Sequence, residues 1–449
     1  MITLAGLGTL FLLLAIGAPV GFAMTIAGVL GLYLVGGTGM VVGILTTAPL
    51  STVSSYELIT IPMFLLMAEL VLVSGVADDL FRATAAWMGR VRGGLGMATA
   101  LAGAGFGAIC GTSTASAATL SSTSLPAMLK QGYEPRLAAG VVAISGTLAM
   151  LIPPSVALVV YGLLAEVNIG GLLVGGIIPG LLVTFTIMAT VWFLVWQDPA
   201  RAPEATPVPW REKLRLLRVV GPMLLLFGMV TGVIYTGIAT PTEASALGAA
   251  GAFMLAVWYR KLTPASLQRA LLRSAHGSCM IAMILLGAYV FGYFFTLTQV
   301  TQNLVTFVGG LEVSRWVIMA LILCGYIVLG MFMDQIAILV LTVPVVLPLI
   351  KSLGFDPLWF GVVKIVTAEV GMITPPIGLN CFVVARYSGR PVAEVFRGTF
   401  PHFIAHLIAI ALLVAFPGLV LWLPSAALTA PPPRGSPLRA AASRGRRGP

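Results

Sequence analysis

The chain has 449 residues, 59% of them hydrophobic and only 9% charged, with a mean hydropathy of +1.03; a soluble fold of this composition would have no polar surface. The net charge of +10 does not point to nucleic acid, because the lysines and arginines stand in short clusters between apolar runs and in the C-terminal tail. About ten runs approach the length of a bilayer span, so the reading is an all-α polytopic membrane protein.

In chain order, Met1 leads straight into apolar sequence with neither a basic region nor a cleavage site, so the first run is read as a span and not a removable signal. Residues 2–17 and 19–36 are apolar runs split at Gly17-Ala18-Pro19, and 37–60 is a Thr/Ser/Gly-containing connection. A third span follows from Ile61 to Gly75. Asp78 to Arg92 reads as an amphipathic helix lying on the membrane surface as an arm. Leu95–Ile109 and Ala117–Leu129 are each too short to cross comfortably, and the Gly/Ser/Thr turn between them carries no charge. The expectation is a re-entrant hairpin over about 94–129. A span over about 136–166 is broken at Leu151–Ser155, where Pro153-Pro154 removes two backbone donors and disfavours helix before them. Gly170 to Trp196 crosses back, and the Pro- and Arg-containing stretch 197–218 is read as a linker.

The second half replays this order. Adding 222 to Pro19, Pro126, Gly132, Pro135, Pro153 and Pro154 gives Pro241, Pro348, Gly354, Pro357, Pro375 and Pro376. Val219 to Arg260 as one helix would be roughly 63 Å long, about twice the hydrocarbon thickness, so it is two spans. The second arm is Thr263 to Arg273 plus a segment near 298–315; the second hairpin covers about 316–351, the second broken span about 357–386 and the last span Pro401 to Leu423. The expected units are a first repeat (1–196), the linker, a second repeat (219–424) and a disordered basic tail (425–449).

Loop charges alternate between the halves. Residues 37–60 hold no Lys or Arg while the matching window holds Arg260, Lys261, Arg269 and Arg273; the next pair of windows reverses this, with Arg82, Arg90 and Arg92 in the first half. The positive-inside rule then gives the repeats opposite topology, with hairpin one entering from the cytoplasm, hairpin two from outside and the linker cytoplasmic. The tail disagrees: the count places it outside although it carries five arginines from Arg434 to Arg447. The short loops are the better guide.

Backbone that leaves the helix at membrane depth is tolerated only where protein or a cavity receives its polar groups, and paired interruptions in two halves mark a transporter's binding site. Sodium wants oxygen ligands. Gly111, Thr112, Ser113, Gly146 and Leu151 supply carbonyls and hydroxyls on one side, and Met333, Asp334, Gly371 and Thr374 on the other. Between them an organic anion would meet Ser113, Thr114, Ser116, Pro154, Ser155, Gln335, Thr374 and Asn380. Neither tip has an arginine, so anion binding would rest on neutral donors, helix ends and co-bound cations. The twofold repeat suggests at least two ions, and no organic cofactor is expected.

Plainer readings stand beside these. Isolated Ser and Thr in membrane helices usually bond back to the backbone. Glu243, after Thr240-Pro241-Thr242, is read as a helix cap. Internal ion pairs are expected for Glu69, Lys364 and Glu369, and Asp334 is the strongest single site residue because a carboxylate at membrane depth needs a partner or an ion. His402 and His406 lack a third metal ligand and are read as surface or packing residues. Cys110, Cys279, Cys324 and Cys381 are read as small buried apolar residues. No catalytic constellation appears, so an enzyme is not expected.

At Thr240-Pro241-Thr242-Glu243-Ala244, Met333-Asp334, Ile152-Pro153-Pro154-Ser155 and Thr374-Pro375-Pro376-Ile377-Gly378-Leu379-Asn380 the sequence resembles the large membrane subunit of tripartite ATP-independent periplasmic (TRAP) transporters, within the ion-transporter superfamily of elevator-type carriers. The resemblance covers about residues 1–424. It implies sodium-driven import of small organic acids across the bacterial inner membrane, delivery by a periplasmic substrate-binding protein, and a small four-helix membrane subunit as partner. The first tip departs from the family's more frequent Gly-Ser-Ser start, and the tail is not a family feature. A single-component carboxylate symporter or antiporter is the competing reading. A channel would not need two oppositely entering hairpins.

Overall fold

The computed structural model describes residues 1–203 and 208–429. All regular structure among them is helical, and eight of the helices are long and apolar enough to cross a membrane. The expected disordered tail lies almost wholly outside the described residues.

Helices α1 (Ile2–Ala15) and α2 (Val20–Val53) come first. The connection expected at 37–60 is largely helical: α2 continues through it, bent where Gly36 and Gly37 leave helical geometry, Gly37 at φ +70°. Apolar Val41, Val42, Ile44 and Leu45 let the helix resume, which the hydroxyls had obscured. Then follow α3 (Thr60–Ser74), the amphipathic α4 (Val76–Met88), α5 (Gly94–Cys110), α6 (Ser113–Lys130), α7 (Pro135–Thr147), α8 (Val156–Ala165), α9 (Ile169–Gly175) and α10 (Ile177–Gln197). The linker is shorter than read, because α11 (Trp210–Tyr235) already begins at Trp210.

After α11 come α12 (Pro241–Trp258), α13 (Pro264–Leu297), α14 (Val300–Gly309), α15 (Arg315–Phe332), α16 (Gln335–Ser352), α17 (Pro357–Gly371), α18 (Leu379–Ser388), α19 (Val392–Ala415) and α20 (Gly418–Thr429). The second arm's first piece is not separate: Thr263 to Arg273 is the start of α13, whose 34 residues reach about 51 Å, beyond the hydrocarbon. Trp87 of α4 packs edge-on to Trp210, 5.4 Å between ring centroids, and ties the surface helix to the start of α11.

Local chemistry sets the helix ends. Thr240 and Glu243 form a reciprocal capping box, Glu243 N–H to Thr240 Oγ1 at 3.3 Å and Thr240 N–H to Glu243 Oε2 at 2.7 Å, as the capping reading of Glu243 requires. Gly132 and Gly354 both take φ near +80° (+84° and +76°) to close α6 and α16, and Tyr133 and Phe355 then donate back to Met128 and Ile350. Helices α6 and α16 start and stop at positions that differ by the same 222 residues, 113–130 and 335–352.

One body of packed helices is formed by α2, α3, α12 and α13, where glycines let backbones meet: a Cβ on Gly21 would lie 2.9 Å from the Met283 carbonyl. The two hairpins and the helices around the prolines pack among themselves, α6 against α7 and α18, α16 against α8 and α17. Cys110 and Cys381 are buried as read, but Cys279 and Cys324 are exposed. In a bilayer an apolar residue can face lipid, so apolar context does not imply burial in protein.

Candidate functional site

Helix α7 stops at Thr147, runs on as a tight 3₁₀ turn over Leu148–Met150, and helix restarts at Val156; α17 stops at Gly371 and helix restarts at Leu379. Both interruptions contain a cis Pro-Pro bond, Pro153-Pro154 and Pro375-Pro376. The hairpin turns are equally abrupt. Gly111 takes φ +65°, and a side chain there would meet Val156 Cγ2 at 2.9 Å, so shape and conformation both demand glycine. At the second tip Met333 is extended and Asp334 caps α16, its Oδ1 accepting from the Ala337 N–H at 3.4 Å.

Each first-turn residue after a tip reaches an interrupted helix. Ser113 Oγ donates to Asn380 Oδ1 at 3.3 Å and lies 3.7 Å from Met372 Sδ; Asn380 Nδ2 in turn donates to the Ala143 carbonyl at 3.3 Å. One chain of contacts thus joins the first hairpin, the second interruption and α7. In the other half Gln335, at the position of Ser113, donates from Nε2 to the Ile365 carbonyl at 3.4 Å. Ile365 is Ala143 plus 222, so equivalent carbonyls receive a side-chain amide in both halves. Gly378 N–H to the Met331 carbonyl at 3.2 Å ties the second interruption to the second hairpin.

Exposure divides the candidates. Ser113, Ser116, Ser155, Gln335 and Asn380 are buried. Ser155 caps α8, its hydroxyl donating to the Met150 carbonyl and accepting from Leu158 N–H. Gly111, Gly146, Leu151, Pro154 and Gly371 are also enclosed, Gly146 so tightly that a Cβ would come 2.7 Å from that of Ala117. Thr112, Thr114, Met333, Asp334 and Thr374 are half-exposed, and Pro375, Pro376 and Ile377 are exposed while Pro153 and Pro154 are not. The first interruption is covered, Ile152 packing on Gly180 of α10; the second is open. Thr112, Thr114, Met333, Asp334 and Thr374 are thus the candidates left accessible. Their side-chain donors and acceptors are all oxygen apart from the Met333 thioether, a set suited to a hard monovalent cation.

Sequence reading passed over Met372, Thr399, whose Oγ1 lies 3.2 Å from the Ile373 carbonyl, and the paired carbonyls of Ala143 and Ile365. The 222-residue offset was the available signal for the last pair.

Buried charges only partly follow expectation. Glu69 pairs with Arg273 at 3.7 Å. Lys364, fully buried, instead donates to Thr342 Oγ1 at 2.8 Å, its nitrogen 4.7 Å from the Tyr326 ring centroid and 6.0 Å from that of Tyr161; both Glu369 oxygens are buried without a hydrogen-bond partner among the described residues. Lys364 and Glu369 are five apart on α17 and so point in different directions. Replacing a buried, weakly partnered amine by an apolar group of similar length removes a desolvation cost. Lys364→Met is expected to raise thermal stability by about 1–3 kcal/mol, and Lys364→Ala to lower it by leaving a cavity. Thermal unfolding in detergent that ranks Met below wild type would reject this. His402 and His406 are fully buried, four apart on α19, as a packing role requires.

A polytopic bundle with two re-entrant helix pairs meeting two interrupted helices has the architecture of a membrane transporter. Residues 7–419 match the family described as Tripartite ATP-independent periplasmic transporter, DctM component, and the chain belongs to that family. It is 33% identical over 375 residues to the C4-dicarboxylate TRAP transporter large permease protein DctM of Pseudomonas aeruginosa, covering 83% of this chain and 87% of the relative. It is 30% identical to the sialic acid TRAP transporter large permease protein SiaM of Vibrio cholerae (92% and 96% covered) and to the ectoine/5-hydroxyectoine large permease protein UehC of Ruegeria pomeroyi (92% and 97%). Among solved structures, the YdaH transporter of Alcanivorax borkumensis shares the fold, with a TM-score of 0.63 at 16% identity over 86% of this chain and 90% of that one. The protein is a multi-pass TRAP large permease, not an enzyme.

Proposed function

We propose that this permease imports small organic acids by sodium symport across the bacterial inner membrane, moving its hairpins and interrupted helices as an elevator-like body against α2, α3, α12 and α13. The observation that carries this reading is the Ser113–Asn380–Ala143 chain of contacts, which joins the first tip to the helix after the second interruption. Sodium would be held by Gly111, Thr112, Ser113, Gly146 and Leu151 in one half, and by Met333, Asp334, Gly371 and Thr374 in the other. Thr114 and Thr374 stand where the anion's carboxylate would arrive, with Ser113, Ser116, Pro154, Ser155, Gln335 and Asn380 shaping the floor. A periplasmic binding protein would deliver the acid, and a small four-helix subunit would complete the permease. The names of the relatives support a carboxylate such as a C4-dicarboxylate or sialic acid.

The test is uptake of radiolabelled organic acids into proteoliposomes holding the chain and its small partner under an inward sodium gradient, with and without binding protein. Uptake is expected only with sodium and loaded binding protein together. Sodium-driven uptake by this chain alone would favour the single-component carrier, and uptake indifferent to sodium would remove the cation sites.

A further inference from the structure

A second polar cavity lies far from the tips in sequence, where the end of α3 meets the start of α13. It has a volume of about 330 Å³ and is lined by Lys261, Arg269 and Arg273 with Thr263 and Ser266, and Glu69 is its one carboxylate. Glu69 is taken by Arg273 at 3.7 Å. Among the described residues Arg269 bonds through its Nε to the Ala265 carbonyl of its own helix at 3.3 Å, and Lys261 is exposed. Arg269 and Arg273 are four apart on one helix face, a like-charge spacing that costs stability unless anions offset it, and Glu69 offsets only Arg273. The Thr263–Ser266 capping box takes up the Thr263 and Ser266 N–H groups and Pro264 has none, so the cavity offers an anion chiefly its cationic side chains.

Its depth in the membrane is marked by Trp258, 80% exposed just before it, and by Leu271 and Leu272, about half exposed between the two arginines. An exposed indole beside exposed leucines is the signature of the headgroup boundary. Tyr259 donates to the Val219 carbonyl of α11 at 2.7 Å, and Trp87 of α4 meets Trp210, the first residue of α11. This is the face whose cations mark it as cytoplasmic.

We infer that Lys261, Arg269 and Arg273 form a binding site for the phosphate of an anionic phospholipid headgroup, the acyl chains lying over Leu271 and Leu272. The bound phosphate would bridge the α12–α13 turn to Arg273, which already holds α3 through Glu69. Basic pockets between membrane helices on this side recognise such headgroups.

The experiment compares wild type with Lys261→Gln/Arg269→Gln, which leaves the Arg273–Glu69 pair intact, in nanodiscs of phosphatidylcholine with or without phosphatidylglycerol. Lipid retention by native mass spectrometry and the thermal midpoint are read together. Phosphatidylglycerol should be retained by wild type and raise its midpoint, and the double variant should bind it roughly thirtyfold more weakly. A single Arg269→Lys variant, keeping the charge, should retain most of the effect if the double variant proves unstable. Equal retention in wild type and double variant, or equal response to phosphatidylcholine, overturns the site. A wild-type shift produced in full by inorganic phosphate, and lost in the double variant, supports the phosphate site but assigns it to a soluble ligand.

Discussion

On the proposed sodium symport, Asp334→Asn is expected to weaken the sodium dependence of uptake by on the order of tenfold, about 1.4 kcal/mol, the scale for losing one partly exposed charged ligand. The substitution separates two roles. Asparagine is as good an N-cap as aspartate, so the bond to the Ala337 N–H and the start of α16 survive. Only the charge is lost. Asp334 is half-exposed, as are Met333 and Thr374, so a cation can reach it. The measurement is uptake rate against sodium concentration, together with the sodium-induced shift of the thermal midpoint. An unchanged sodium requirement in a folded Asp334→Asn protein would take the second cation site away from this tip.

Gly371→Ala should cost about 3 kcal/mol, at the upper end of overpacking penalties, and abolish uptake. A Cβ there would lie 2.5 Å from Gly330 Cα and would also strike the Ile327 carbonyl. These are backbone atoms of α15, which cannot rotate aside as a side chain can. Separating α15 from α17 would also displace the interruption, because Thr374 N–H is bonded to the Gly371 carbonyl at 2.9 Å and Asn380 N–H to that of Met372 at 3.2 Å. Gly325→Ala on the same α15 meets nothing within 4 Å and is the internal control. Equal thermal midpoints for the two variants would show that α15 and α17 do not cross this closely.

What could be read from the chain was local in origin. Helix stops at the tandem prolines follow from missing donors and ring sterics, the Thr240–Glu243 cap from four neighbouring residues, and membrane residence from composition. Hydroxyls in the 37–60 stretch suggest a connection where the helix continues. In a membrane helix they bond to the preceding turn, as Thr46 does to Val42 at 2.9 Å, so residues 38–53 stay helical. The linker erred in the opposite sense: the Trp210-Arg211-Glu212-Lys213 run is charged yet helical because Trp87 of α4 gives it a docking partner, 5.8 Å from the Lys213 amine.

By itself, then, the sequence determined the class of protein, the repeat and the places where helices must break, since these depend on hydropathy and on backbone chemistry within a few residues. Tertiary structure alone decided that Ser113 meets Asn380 across 267 positions, that the first Pro-Pro turn is covered and the second open, and that Cys324 faces outward while Cys381 does not. Those outcomes depend on which helix faces are apposed. In a chain apolar on nearly every face, burial against protein and burial in lipid leave the same pattern in the sequence.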